Sequence, residues 1–141
     1  MEITKLVSIF ELFDSWEDRY RQIIELGKKL EPLDDGFKVP EFKVHGCTSQ
    51  VWLTFKFDEQ EDKRVMHFIA DSDAHIVRGL IAILLMLFSN KTPAEIKDFD
   101  PAEQFGKLGL DKHLSPMRSN GLHSMVKRMK ALAISVEAQE Q

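Results

Sequence analysis

The sequence predicts an α+β fold, a small three-stranded antiparallel sheet within residues 42–70 covered by N-terminal and C-terminal helices. Two observations carry this prediction. Apolar residues recur at helical spacing before residue 32 and after residue 75, but alternate one by one between them. Each change of period coincides with turn or capping residues, and a half-buried sheet in one chain needs helices to cover it.

Leu6, Val7, Phe10 and Phe13 mark a first amphipathic helix. Trp16, Tyr20, Ile23, Ile24, Gly27 and Leu30 mark a second after the Asp14-Ser15 break. Pro32, Asp34-Asp35-Gly36 and Pro40 punctuate a loop. Phe42 and Val44 then start an alternation. Val51, Leu53, Phe55 and Phe57 point one way, while Trp52, Thr54, Lys56 and Asp58 point the other. The polar run Asp58 to Lys63 reads as a hairpin connection, with Arg64 to Ala70 as the returning strand.

Asp73 precedes an apolar helix from Ile76 to Phe88. Thr92-Pro93-Ala94-Glu95 and Asp100-Pro101-Ala102-Glu103 each supply a capping residue, a proline at the first helical position and a glutamate at the third. Ser115-Pro116 opens a last segment with an apolar stripe through Leu122, Met125, Val126, Met129, Leu132, Ala133 and Val136. Asn120-Gly121 is a turn dipeptide, which predicts that the helix proper begins only after Gly121.

The chain of 141 residues suits a single domain, 1–141, that buries roughly two thirds of its unfolded surface without covalent staples. Its one cysteine, Cys47, excludes an internal disulfide, a C-x-x-C redox pair and a cysteine-built metal cage within one chain. A net charge of −4 argues against sequence-independent nucleic-acid binding. No signal-peptide pattern opens the sequence, and the most apolar run, Ile76 to Phe88, is interrupted by Arg78 and falls short of the ~20 residues that span a bilayer. A cytoplasmic protein with no membrane segment is expected.

The stretch Val44 to Trp52 is the most informative. Gly46, Thr48 and Ser49 are poor strand-interior residues, so Cys47 is expected at a turn between strands, among residues that supply backbone donors and conformational freedom. Residue types alone leave a structural and a reactive role equally open, because free cysteine is among the most buried residue types. His45, His67, His75, His113 and His123 show no i, i+4 pair and no carboxylate motif, so a metal site is not expected. Between Lys107 and Lys130 there are six basic residues against Asp111 alone, which reads first as a solvated helix face and second as a docking surface for an acidic partner. Met117, Met125 and Met129 share the terminal stripe and read as core.

Three separated motifs, Gly46-Cys47-Thr48-Ser49-Gln50-Val51-Trp52, Asp71 to Leu80 and Leu114 to Leu122, resemble the SufE family in order and spacing. Trp16 to Tyr20 and Glu25 to Lys28 extend the resemblance over nearly the whole chain. The departure is Ala70, where members tend to have glycine; alanine tolerates a strand end. The resemblance implies a sulfur acceptor. A pyridoxal-phosphate cysteine desulfurase, SufS-like or CsdA-like, extracts sulfur from L-cysteine, and Cys47 takes it as a persulfide for delivery to an iron–sulfur scaffold or another acceptor. The pyridoxal phosphate belongs to the partner, and this chain, monomer or homodimer, is expected to hold no cofactor and not to act as a stand-alone enzyme.

The same resemblance places the residues matching Arg118 and Asp73 near the cysteine loop, which predicts an Arg118–Asp73 ion pair. The ordinary alternative for Asp73 is a helix cap, and for Arg118 a solvated residue at a helix start. His45, Arg118 and the backbone N–H groups from Gly46 through Thr48 and Ser49 to Gln50 are the candidates for lowering the thiol pKa. His45 is a poor candidate base, because strand alternation points it away from the face of Phe42 and Val44. A lone thiol fits sulfur carriage: a second cysteine would convert the Cys47 persulfide to a disulfide and release sulfide. The rivals are an iron–sulfur assembly scaffold, which needs about four thiolates, and a non-catalytic regulator of the desulfurase.

Overall fold

The computed structural model describes residues 2–140. Seven helices and two strands run in the order α1 (Ile3–Glu11), α2 (Trp16–Gly27), β1 (Val51–Gln60), β2 (Lys63–Ser72), α3 (His75–Phe88), α4 (Pro93–Asp98), α5 (Ala102–Leu108), α6 (Leu110–His113) and α7 (Pro116–Gln139). Short 3-10 turns at Asp35–Phe37 and Pro40–Phe42 shape the long connection from α2 to β1.

The helices start where local chemistry satisfies their free N–H groups. Ser15 Oγ accepts from Asp18 N at 3.3 Å, and Ser115 Oγ from Arg118 N at 3.3 Å. At α4 the capping is reciprocal: Thr92 Oγ1 accepts from Glu95 N at 3.2 Å, and Glu95 Oε1 accepts from Thr92 N at 3.0 Å. Those hydrogen bonds hold the Glu95 carboxyl below its ordinary pKa. The Asp100-Pro101 signal starts α5 one residue later than its pattern suggests, with Asp100 Oδ1 accepting from Ala102 N at 3.0 Å.

Strands β1 and β2 form an antiparallel hairpin in register from Val51 opposite Ser72 to Gln60 opposite Lys63. Only Glu61 and Asp62 form the connection, both with positive φ (52° and 64°), so the strands are longer than the polar run suggests. Val51, Leu53, Phe55 and Phe57 share the face of Met66, Phe68 and Ala70, and the fully buried members of that face enter one contiguous core with α3. Nine of the 14 residues of α3 are buried, because the helix packs against β2, α2 and α7 together.

The sheet therefore has two strands, not the predicted three. The Phe42–Val44 segment contributes a single bridge, Lys43 to Trp52, with Val44 N donating to Val51 O at 2.8 Å. Both flanks prevent its growth. Pro40 opens a 3-10 turn that ends with Phe42 edge-on to Phe37, and Gly46 at φ +95° turns the chain away. The terminal helix also departs from expectation: α7 runs unbroken from Pro116 through Asn120-Gly121. Among the described residues no helix is long and apolar enough to cross a membrane.

Candidate functional site

Cys47 lies in the short loop that joins the Lys43–Val44 bridge to β1. Gly46 makes the entry, where both its positive φ and its closeness to the Ser124 Oγ of α7 exclude a side chain. The exit is held from the other side of the sheet end. Asp73 Oδ1 accepts from Gln50 N at 3.0 Å, and Asp73 N donates to Gln50 O at 3.3 Å. Cys47, Thr48 and Ser49 are thus the residues between two anchors.

The thiol points at α7. Its Sγ donates to the Gly121 carbonyl oxygen at 3.6 Å, a long and weak hydrogen bond typical of sulfur. Around it opens a small apolar hollow between the loop, α3 and α7, walled by Val77, Leu80 and Leu84 from one helix and Met117, Leu122 and Met125 from the other. Spacings of three, four and seven put Val77, Leu80 and Leu84 on one face of α3, and spacings of three and eight relate Leu122 and Met117 to Met125 on α7. Half-burial in that surround pushes the Cys47 thiol above its ordinary pKa by desolvation, so at neutral pH the resting group is a protonated, weakly nucleophilic thiol.

The other candidates fall into two groups. Thr48, Ser49 and Arg118 line the hollow with Cys47, whereas His45 and Gly46 are exposed and outside its lining and Gln50 serves through its backbone. Asp73 is neither the helix cap nor the partner of Arg118: α3 starts after Ala74, whose N–H is satisfied by Ser72 Oγ at 3.2 Å, and the Asp73 carboxylate holds the loop instead. Among the described residues no ion pair joins Arg118 to Asp73; the guanidinium lies over the Tyr20 ring, 5.9 Å from its centroid. Met117, placed in the core by its periodicity, is 60% exposed at the rim of the hollow.

Two features escape the residue pattern. Asp71 is the carboxylate that gathers cations, with Arg78 Nε at 2.9 Å from Oδ1 and Lys38 Nζ at 3.3 Å from Oδ2. The i, i+7 spacing of Asp71 and Arg78 bridges a strand end and a helix start, so no single period reports it. Gly121 reads as a helix breaker, although it shares a helix face with Met117 and Met125, and that spacing is the available signal. Elsewhere His67 pairs with Glu31 at 2.8 Å and His113 stacks on Trp16, and neither pair includes a residue of the hollow.

Comparison with known proteins identifies the architecture and the lineage. A solution structure of a hypothetical protein from Thermus thermophilus superposes with a TM-score of 0.71 over 96% of each chain at 19% identity, a likeness of fold alone. An uncharacterized SufE-like protein of Rhizobium etli is 49% identical over 128 residues, 91% of this chain and 86% of that protein. Another from Rhizobium meliloti is 46% identical over 131 residues, 93% of this chain and 94% of that one. The model of the SufE family, described as an Fe-S metabolism associated domain, matches residues 4–133. With its lone thiol on a loop pinned at both ends, the chain belongs to the SufE family.

Proposed function

We propose that this protein accepts sulfur on Cys47 from a pyridoxal-phosphate cysteine desulfurase and passes it on for iron–sulfur cluster assembly. The observation that carries the reading is the single thiol of a SufE-family chain at the mouth of an apolar hollow, on a loop of few residues between two anchors. In the transfer, the Cys47 thiolate attacks the outer sulfur of the donor's persulfide. A new S–S bond forms at Sγ, the donor's S–S bond breaks, and its electron pair leaves on the donor thiolate.

The resting geometry supports a switch between storage and reaction. Inside the hollow the thiol is protonated and donates to Gly121 O. Swinging Cys47 to Ser49 outward, about the Gly46 turn and the Asp73–Gln50 contact, returns the thiol to water and to its ordinary acidity. Exposed Met117 and the guanidinium of Arg118 border the opening, so a docked partner would meet an apolar and a cationic contact there.

The test is incubation with the host's cysteine desulfurase, L-cysteine and pyridoxal phosphate, followed by intact mass measurement. One added sulfur on the wild type, none on Cys47→Ser, and loss of desulfurase stimulation in that variant are expected. Full stimulation by Cys47→Ser would move the protein to the regulator class. Iron–sulfur absorbance after reconstitution would move it to the scaffold class.

A further inference from the structure

Gly121 is a glycine without a backbone reason. It sits in the interior of α7, its φ is not positive, and a helix-interior glycine is less favourable than alanine. Space is the remaining reason, and the space is specific: the three heavy atoms nearest to a Cβ built there all belong to Cys47, with Sγ at 3.5 Å and Cα and Cβ at 3.9 Å. Those distances are ordinary van der Waals contacts. The thiol alone would therefore tolerate alanine at 121, and the helix would gain from it.

We infer that Gly121 is a positioning residue that keeps open, beside Cys47 Sγ, the seat of the outer persulfide sulfur. The inference rests on the sulfur-acceptor reading above. A sulfur bonded to Sγ lies about 2.05 Å from it, so a methyl group 3.5 Å from Sγ would crowd an outer sulfur on the side facing Gly121. The carbonyl of the same residue accepts from the resting thiol at 3.6 Å, which keeps Sγ turned toward this position. The apolar walls from α3 and α7 restrict the approach of the water and thiols that would strip the outer sulfur. The residue thus serves the loaded state, and the empty state bears its conformational cost.

The test loads the wild type and Gly121→Ala with inorganic tetrasulfide, without any partner, and verifies one added sulfur on Cys47 by intact mass. Sulfide release to dithiothreitol is then followed, in which the dithiol is oxidised to its cyclic disulfide and the persulfide is reduced to thiol and sulfide. Each rate is divided by the iodoacetamide rate of the same variant's unloaded thiol, which removes any general opening of the loop. Gly121→Ala is expected to melt no lower than the wild type yet to release sulfur about tenfold faster after this correction, the low end of what a one-carbon misfit costs in an apolar pocket. Equal corrected rates overturn the inference. Should Gly121→Ala melt lower, the wild type decides: a melting temperature kept or raised on loading supports the seat, and a fall on loading overturns it. Failure of enzymatic transfer with successful chemical loading would count against the acceptor role and leave the seat standing.

Discussion

Two glycine contacts on α3 and α7 face their neighbours in opposite ways. At the crossing of α2 and α3, a Cβ on Gly79 would run into the Ile23 carbonyl group, and one on Gly27 would lie 2.7 Å from Gly79 N. The two backbones touch, and nothing larger than hydrogen fits. Where α7 passes the Cys47 loop, the three atoms nearest a Cβ on Gly121 all belong to Cys47, at 3.5 Å or more. One glycine pair closes a gap in the core, while the other glycine leaves one open at the thiol. The same residue type therefore serves rigidity in the frame and vacancy at the site, and only the distances distinguish the two.

Alanine substitutions should separate these roles most sharply in stability. Gly79→Ala has backbone against it and no flexible side-chain end to displace, so it is expected to cost about 3 kcal/mol, the upper end for overpacking a filled core. Gly121→Ala should stabilise by about 0.5–1 kcal/mol through helix propensity. Guanidinium denaturation of both variants checks the pair. A Gly79→Ala protein within about 1 kcal/mol of the wild type would mean that α2 and α3 can part cheaply, and the contrast with the thiol site would be lost.

Asp73→Ala gives a smaller and more local effect. It removes the side-chain contact to Gln50 N but leaves the backbone bond from Asp73 N to Gln50 O, so one anchor of the loop is halved. A single hydrogen bond in this exposed position is worth about 1 kcal/mol. Cys47 should then react faster with iodoacetamide, while the α2–α3 crossing is untouched and thermal unfolding shifts only slightly. An unchanged alkylation rate would show that Gly46 and the hollow hold the loop without Asp73.

The frame is more legible in the sequence than the site, for physical reasons. Ser15, Thr92 and Ser115 announce helix starts because capping is local chemistry, satisfied within one turn. The alternation of Val51 to Phe57 announces a strand for the same reason. The third strand is overpredicted because Phe42 and Val44 alternate correctly, yet Pro40 and Gly46 leave too few extended residues between them. The two-residue turn at Glu61-Asp62 lacks the Asn-Gly or Asp-Gly pair that usually signals positive φ. At the site, Cys47 stands out through its motif, and burial raises its pKa where His45, Arg118 and the loop N–H groups are the candidates for lowering it. Asp73 and Asp71 owe their contacts to tertiary placement, which no local pattern encodes, and Gly121 shows only through its spacing from Met117 and Met125.

The smallest effect concerns protons on Cys47. Burial disfavours the thiolate, so the folded pKa lies above that of the unfolded chain, which is near the ordinary value of about 8.5. Below that value both states hold the proton, and the stabilisation by the retracted thiol is fully present. As pH rises past it, the unfolded chain loses the proton first, and the stabilisation is lost progressively until pH passes the folded value. The stability difference between the wild type and Cys47→Ser should therefore be flat at neutral pH and fall for the wild type in alkaline solution. Iodoacetamide reactivity should titrate with a midpoint above that of a free thiol. In Asp73→Ala, where the loop visits water more often, that midpoint should move down toward the ordinary value. A wild-type midpoint at or below the free-thiol value would mean that the hollow does not govern the thiol, and that cations at its rim do.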